Sequence, residues 1–134
     1  MIQNRRDDIV KSLELDNPHL RISPSGSNCY FFVRTCHKYE VVRKSDILYV
    51  KGLKEYLQIV TKTGKIVTLM SFGKLQSQLQ DHRFLRVHRS YLVNISMVTS
   101  ISNTCLTIEK NRIPIGSSYR EGLMSYLSKL NLIV

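Results

Sequence analysis

From Tyr30 onward apolar and polar residues alternate with period two in short runs, and a turn-forming or charged cluster breaks each run. Period two sends successive side chains to opposite faces of a strand, whereas a helix repeats near 3.6. A chain patterned in this way must pair its strands with one another, because a strand's backbone N–H and C=O groups find no partners within the strand itself. "YFFVRT" and "YEVVRK" read as one such pair, turning around Cys36–Lys38. "DILYVKG" follows, with Ile47 and Tyr49 predicted on one face and Leu48 and Val50 on the other. "EYLQIVTKTGKIVTL" is the clearest hairpin: two β-branched runs meet at Lys62–Lys65, where Gly64 is expected to supply a positive φ. "RFLRVHRSYLVNISMVTSI" returns to extended character. "NTCLTIEKNRIPIG" predicts a last hairpin turning at Lys110–Asn111, with Pro114 on an edge strand, where its missing N–H costs no ladder bond.

Two segments break the alternation. In "SFGKLQSQLQ" Phe72, Leu75 and Leu79 have helical spacing behind Ser71, a candidate N-cap. In "SSYREGLMSYLSKL" Ser118 and Glu121 have capping-box spacing, and Tyr119, Leu123, Leu127 and Leu130 form an apolar stripe. The reading is a mainly β domain with two short peripheral helices. Gly52, Gly64 and Gly73 stand singly and read as turn or cap residues. Residues 1–28 differ: "RRDDIVKSLEL" suits a short helix, and "DNPHLRISPSGSN" has linker composition. The expected division is a linker or tether at 1–28 and one folded domain at 29–134.

Hydrophobic residues make up 43% of the 134, enough to bury a core, and no apolar run approaches a membrane span. The first residues carry no apolar stretch of the secretory kind, so a cytoplasmic location is expected. Cys29, Cys36 and Cys105 are an odd set without a CxxC pair and read as reduced thiols. The net charge of +10 is the stronger signal. Residues 1–29 hold Arg5, Arg6, Lys11 and Arg21 against Asp7, Asp8, Glu14 and Asp16, so the whole excess lies on the folded part. A basic field on a small domain points to a polyanion, most often nucleic acid.

Catalysis finds no support. The histidines (His19, His37, His82 and His88) form no HExxH-type pair, the carboxylates of the folded part are scattered, and neither GxSxG nor GxxxxGK[ST] is present. No enzyme, metal site or cofactor is expected. Cations cluster instead at three junctions. The first is Lys51-Gly52-Leu53-Lys54-Glu55-Tyr56, the second Arg86, His88, Arg89 and Ser90, and the third Gly116-Ser117-Ser118-Tyr119-Arg120. Arg and Lys suit phosphates and guanine edges, Ser and Tyr suit phosphates, and a helix N-terminus offers free N–H groups. Each group also has a plainer reading. Lys51 and Lys54 read as solvated, Ser118 as a helix cap, His88 as a core histidine, and Tyr56 and Tyr91 as packing residues. Arg89 is the strongest single candidate, because an arginine seldom stays buried without a partner.

"FLRVHRSYLVN" resembles the most characteristic motif of the LytTR family, the LytR/AlgR-type DNA-binding domains of bacterial response regulators. "DILYVKGLKEYLQIVTKTGK", "SFGKLQSQLQ" and "RIPIGSSYREGLMSYL" resemble the family's other segments in the same order, over roughly 30–130. The resemblance implies an elongated arrangement of small antiparallel sheets and binding of double-stranded promoter DNA. In it, loops at Leu53–Tyr56, His88–Ser90 and Ser117–Arg120 enter successive major grooves, and a second protomer occupies a repeated half-site. The DNA-binding residues it implies are Lys51, Lys54, Tyr56, Arg86, His88, Arg89, Ser90, Ser117, Ser118 and Arg120. The third loop departs from the pattern: a basic residue often stands where this chain has Ser117 or Ser118, and the nearest cation is Arg120. A receiver or membrane sensor is expected on the N-terminal side. An RNA-binding module, or a basic adaptor docking on an acidic protein or membrane surface, remains the alternative.

Overall fold

The computed structural model describes residues 29–133, so the helix and linker expected within 1–28 lie outside the described residues. Ten short strands and two helices follow in order. They are β1 Tyr30–Arg34, β2 Tyr39–Arg43, β3 Ile47–Leu53, β4 Tyr56–Thr61, β5 Lys65–Leu69, α1 Phe72–Leu79, β6 Phe84–His88, β7 Tyr91–Asn94, β8 Val98–Ile101, β9 Cys105–Ile108, β10 Asn111–Pro114 and α2 Ser117–Lys129. The strands form a two-stranded sheet (β1-β2), a five-stranded sheet (β5-β4-β3-β7-β6) and a three-stranded sheet (β10-β9-β8). The fold class expected from the alternation is the one observed.

The five-stranded sheet is buried on both faces, which is why its strands are apolar at consecutive positions. Ile47, Val50, Leu57, Ile59, Phe84 and Leu92 join a core with Phe31, Val33 and Val42 of the small sheet and Leu75 and Leu79 of α1. Leu48, Val60, Val87 and Val93 join a second core with Leu106, Ile108 and Ile113 of the three-stranded sheet and Leu123 and Leu127 of α2. Each such side chain contributes about 1.5–3 kcal/mol on burial. The strict alternation expected for β3 is corrected here. A register shift between Ile47 and Tyr49 inserts Leu48 as an extra residue opposite β4, so Ile47 and Val50 share one core while Leu48 and Tyr49 face the other. A similar shift between Arg86 and His88 makes Val87 the extra residue of β6.

Local chemistry explains the ends of the elements. Ser71 caps α1 by accepting the Lys74 N–H at 3.2 Å, as its position predicted. Lys44 Nζ donates to the Leu79 carbonyl at 2.8 Å, placing a cation at the negative end of that helix. Four sequence expectations shift. Gly64 does not adopt a positive φ; the Thr61 hydroxyl holds that turn by accepting the N–H groups of Thr63 and Gly64. Asn111 already pairs with Ile108, so the last hairpin turns one residue earlier, at Glu109–Lys110. The Ser118–Glu121 capping box is absent: Gly116 is the N-cap and α2 starts at Ser117, so Ser118 is already inside the helix. Leu130 lies beyond the helix and is 41% exposed, outside the buried stripe of Leu123 and Leu127.

Candidate nucleic-acid interface

Three loops singled out in the sequence are tied together by backbone bonds. The Gly52 N–H donates to the Ser90 carbonyl at 2.8 Å, joining the β3–β4 hairpin to the β6–β7 turn. The Gly116 N–H donates to the Val87 carbonyl at 2.8 Å, joining the start of α2 to the same turn. The Val87 carbonyl belongs to the extra residue of the β6 bulge, where ladder pairing is interrupted. Both glycines allow a close approach. A Cβ on Gly52 would stand 2.8 Å from Phe72 Cε2, and one on Gly116 would stand 3.0 Å from Tyr119 Cδ2 and 3.6 Å from His88 Cα. Gly52 is therefore a packing residue within β3, not the turn residue its isolation suggested. Gly73 has open space around its Cα.

The side chains divide into two groups. Lys54, Tyr56, Arg89, Ser117 and Ser118 are exposed, Tyr56 to 47%. Lys54 occupies the two-residue turn between β3 and β4 with a φ of 59°, a left-handed conformation that costs a non-glycine residue about 1–2 kcal/mol. Lys51 Nζ stands 6.0 Å from the centroid of the Tyr91 ring, which in turn meets His88 edge-on at 5.6 Å. His88 Nδ1 accepts the Ser90 N–H at 3.0 Å, so in the neutral ring the proton sits on Nε2, a free donor for a ligand. Tyr49, 6.2 Å from Tyr91, has its hydroxyl pKa raised by burial and by the neighbouring phenol.

Arg86 and Arg120 are bonded to the protein. Arg86 Nε donates to the His88 carbonyl at 3.0 Å, Nη2 donates to the Arg89 carbonyl, and Cζ stands 3.9 Å from the centroid of the Phe72 ring. Arg120 Nη1 donates to the carbonyls of Ser102 and Asn103 at 3.0 and 2.7 Å, and Nη2 to Asn103 Oδ1 at 2.8 Å. That fork fastens the β8–β9 turn to the first turn of α2. Asn94, which closes the sequence motif, is fully buried: Nδ2 donates to the Ile47 carbonyl at 2.8 Å, while Oδ1 accepts from the Ser96 N–H and hydroxyl. Phe72, Asn94 and Asn103 had no place in the sequence reading of the site. A polar residue ending an apolar strand was the signal for Asn94; nothing local marks the other two.

Arg83 pairs with Asp81 at 2.6 Å, and hydrogen bonds from its guanidinium hold the Asp81 carboxyl below the ordinary carboxylate range. With 20 basic and 10 acidic residues in the chain, the carboxylates could neutralise only half of the cations one to one. Among the described residues no group of three or more His, Cys, Asp or Glu could hold a metal ion, and no helix is long and apolar enough to cross a membrane.

A sheet-built scaffold that gathers three cationic or hydroxyl-bearing loops defines a polyanion-binding β domain, distinct from a helix-turn-helix. Residues 37–128 match the family described as the LytTr DNA-binding domain, and the chain belongs to that family, the DNA-binding domains of response-regulator-type transcription factors. The family is not enzymatic. Over 62 residues, 46% of this chain, it is 29% identical to the transcriptional regulatory protein NatR of Bacillus subtilis (strain 168). That match spans only 27% of the relative's length. The fold matches the LytTr DNA-binding domain of a putative methyl-accepting/DNA response regulator from Bacillus cereus, with a TM-score of 0.66 and 19% identity. The match covers 75% of this chain and 97% of that one.

Proposed function

We propose that this domain is a sequence-specific reader of promoter DNA in a bacterial transcription regulator. The β3–β4 turn, the β6–β7 turn and the start of α2 enter successive major grooves. The observation that carries this reading is the pinning of two of those loops to the third, through Gly52 to Ser90 and Gly116 to Val87. Loops that must meet bases at set intervals need fixed spacing, and backbone bonds between them hold it while leaving the exposed side chains for contacts with DNA.

Arg89, Lys54 and Tyr56 reach bases or phosphates from the hairpin turns, with Lys51 and Ser90 beside them. His88 presents Nε2 as a donor to an acceptor such as guanine N7 or a phosphate oxygen. Ser117 and Ser118 offer hydroxyls and the unbonded N–H groups of a helix N-terminus to a phosphate. Arg86 and Arg120 act through the carbonyls they hold. A second protomer occupies a repeated half-site, and a receiver or membrane sensor on the N-terminal side governs when the pair assembles.

Selection of bound duplexes from a random library, at roughly physiological salt to suppress non-specific phosphate binding, tests the reading. Enrichment of a short motif repeated at about one helical turn, or a multiple, is the expected result. Recovery of no motif, with matched RNA duplexes or an acidic protein binding instead, would replace it.

A further inference from the structure

The β6–β7 turn is not held by its own backbone preference. Two-residue hairpin turns favour positive φ at one or both turn residues, because that twist matches the flanking strands. Neither Arg89 nor Ser90 has a positive φ. The turn is held instead by side chains: His88 Nδ1 takes the Ser90 N–H, and Arg86 takes the carbonyls of His88 and Arg89. Arg86 is itself placed by the ring of Phe72, 3.9 Å from its Cζ. That same ring fills the space where Gly52 would carry a Cβ, and Gly52 is the residue that bonds to Ser90.

We infer that Arg86 and Phe72 form a positioning pair that sets the spacing between the β3–β4 and β6–β7 turns, and so determines sequence specificity without either side chain touching DNA. The inference rests on the DNA-reading role proposed for these turns. One aromatic ring packs beside Gly52 of β3 and against the Arg86 guanidinium of β6, and that guanidinium converts the ring's position into the direction of two turn carbonyls. Lysine cannot substitute: its ammonium has neither the planar fork that spans two acceptors nor the flat face that stacks on a ring.

The test compares the wild-type chain with Arg86→Met, Arg86→Lys and Phe72→Leu on the duplex that the wild type selects, across a range of salt concentrations. In all three variants the ratio of specific to non-specific affinity is expected to fall by about tenfold or more. The slope of log affinity against log salt is expected to stay at the wild-type value. A phosphate contact gives the opposite: in Arg86→Met the slope loses roughly 0.9 while the ratio holds, and Phe72→Leu is silent, which overturns the inference.

Hydrogen exchange without DNA separates positioning from unfolding. The Gly52 amide should exchange faster in Arg86→Met and Phe72→Leu, while the Gly116 amide and the β3–β4 ladder keep wild-type protection. Unchanged protection at Gly52 overturns the inference. Where Phe72→Leu loosens the whole core, Arg86→Lys decides, since it keeps the charge and the stem; wild-type specificity in that variant overturns the pairing. If the wild type selects no motif, the DNA-reading role fails, and exchange at Gly52 still reports whether the pair sets the turns.

Discussion

Gly52 and Ser90 are 38 residues apart in sequence, yet the N–H of one donates to the carbonyl of the other at 2.8 Å. The bond exists because Gly52 lacks a side chain. Gly52→Ala would drive a Cβ to 2.8 Å from the Phe72 ring, so either the ring or β3 must move. Overpacking of this kind typically costs about 1–3 kcal/mol, readable as a lower urea midpoint. Gly122→Ala is the matched opposite: it lies inside α2 with open space around its Cα, and should stabilise the domain by about 0.5–1 kcal/mol.

Arg89 and Lys54 are expected to separate base reading from phosphate binding. Arg89→Ala should cost about 1–3 kcal/mol on the selected site and relax preference at one base position. Lys54→Ala should weaken all duplexes alike and reduce the salt slope by roughly 0.9. Lys54→Gly should lose the same binding while gaining about 1 kcal/mol of stability, because glycine accepts the φ of 59° without strain. Fluorescence anisotropy titrations at several salt concentrations, with denaturation curves alongside, check all three.

Asn94→Ala should unfold the protein more readily without altering any side chain of the three candidate loops. The substitution leaves the Ile47 carbonyl and the Ser96 N–H without their partner, at about 1–3 kcal/mol for each group that stays buried. Thermal melts of the variant should show the loss, and DNA affinity measured well below the melt should stay close to wild type.

Asp81 gives the domain an acid-sensitive term. Its carboxyl is more acidic in the folded protein than in the unfolded chain, chiefly through the Arg83 hydrogen bonds. The stabilisation is therefore complete above the unfolded carboxylate value of about 4 and is lost as pH falls through the lower folded value. Denaturation midpoints between about pH 6 and about pH 2 should fall less steeply in Asp81→Asn than in the wild type. The difference should vanish at the acid end.

Most of the local architecture was legible from the chain. Period-two runs marked the strands, Ser71 marked the start of α1, and Pro114 marked an edge, because each of these signals depends on neighbours a few residues away. The three loop segments were also legible, through their mixture of cations, hydroxyls and aromatics.

Tertiary structure decided what those segments do to one another. Leu48 and Val87 became extra residues in their strands because both faces of the five-stranded sheet had to be filled, and only pairing with β4 and β7 fixes the register. Ser118 lost its capping role because the close approach of Gly116 to His88 set the first turn of α2 two residues earlier than the capping box required. Arg86 and Arg120 looked like free cations in the sequence, yet both guanidinium groups donate to carbonyls that the fold brings within reach. Alternation and capping are properties of adjacent residues and can be read along a chain. Which carbonyl meets which guanidinium depends on the register of strands far apart in sequence, and that is settled only when the sheets assemble.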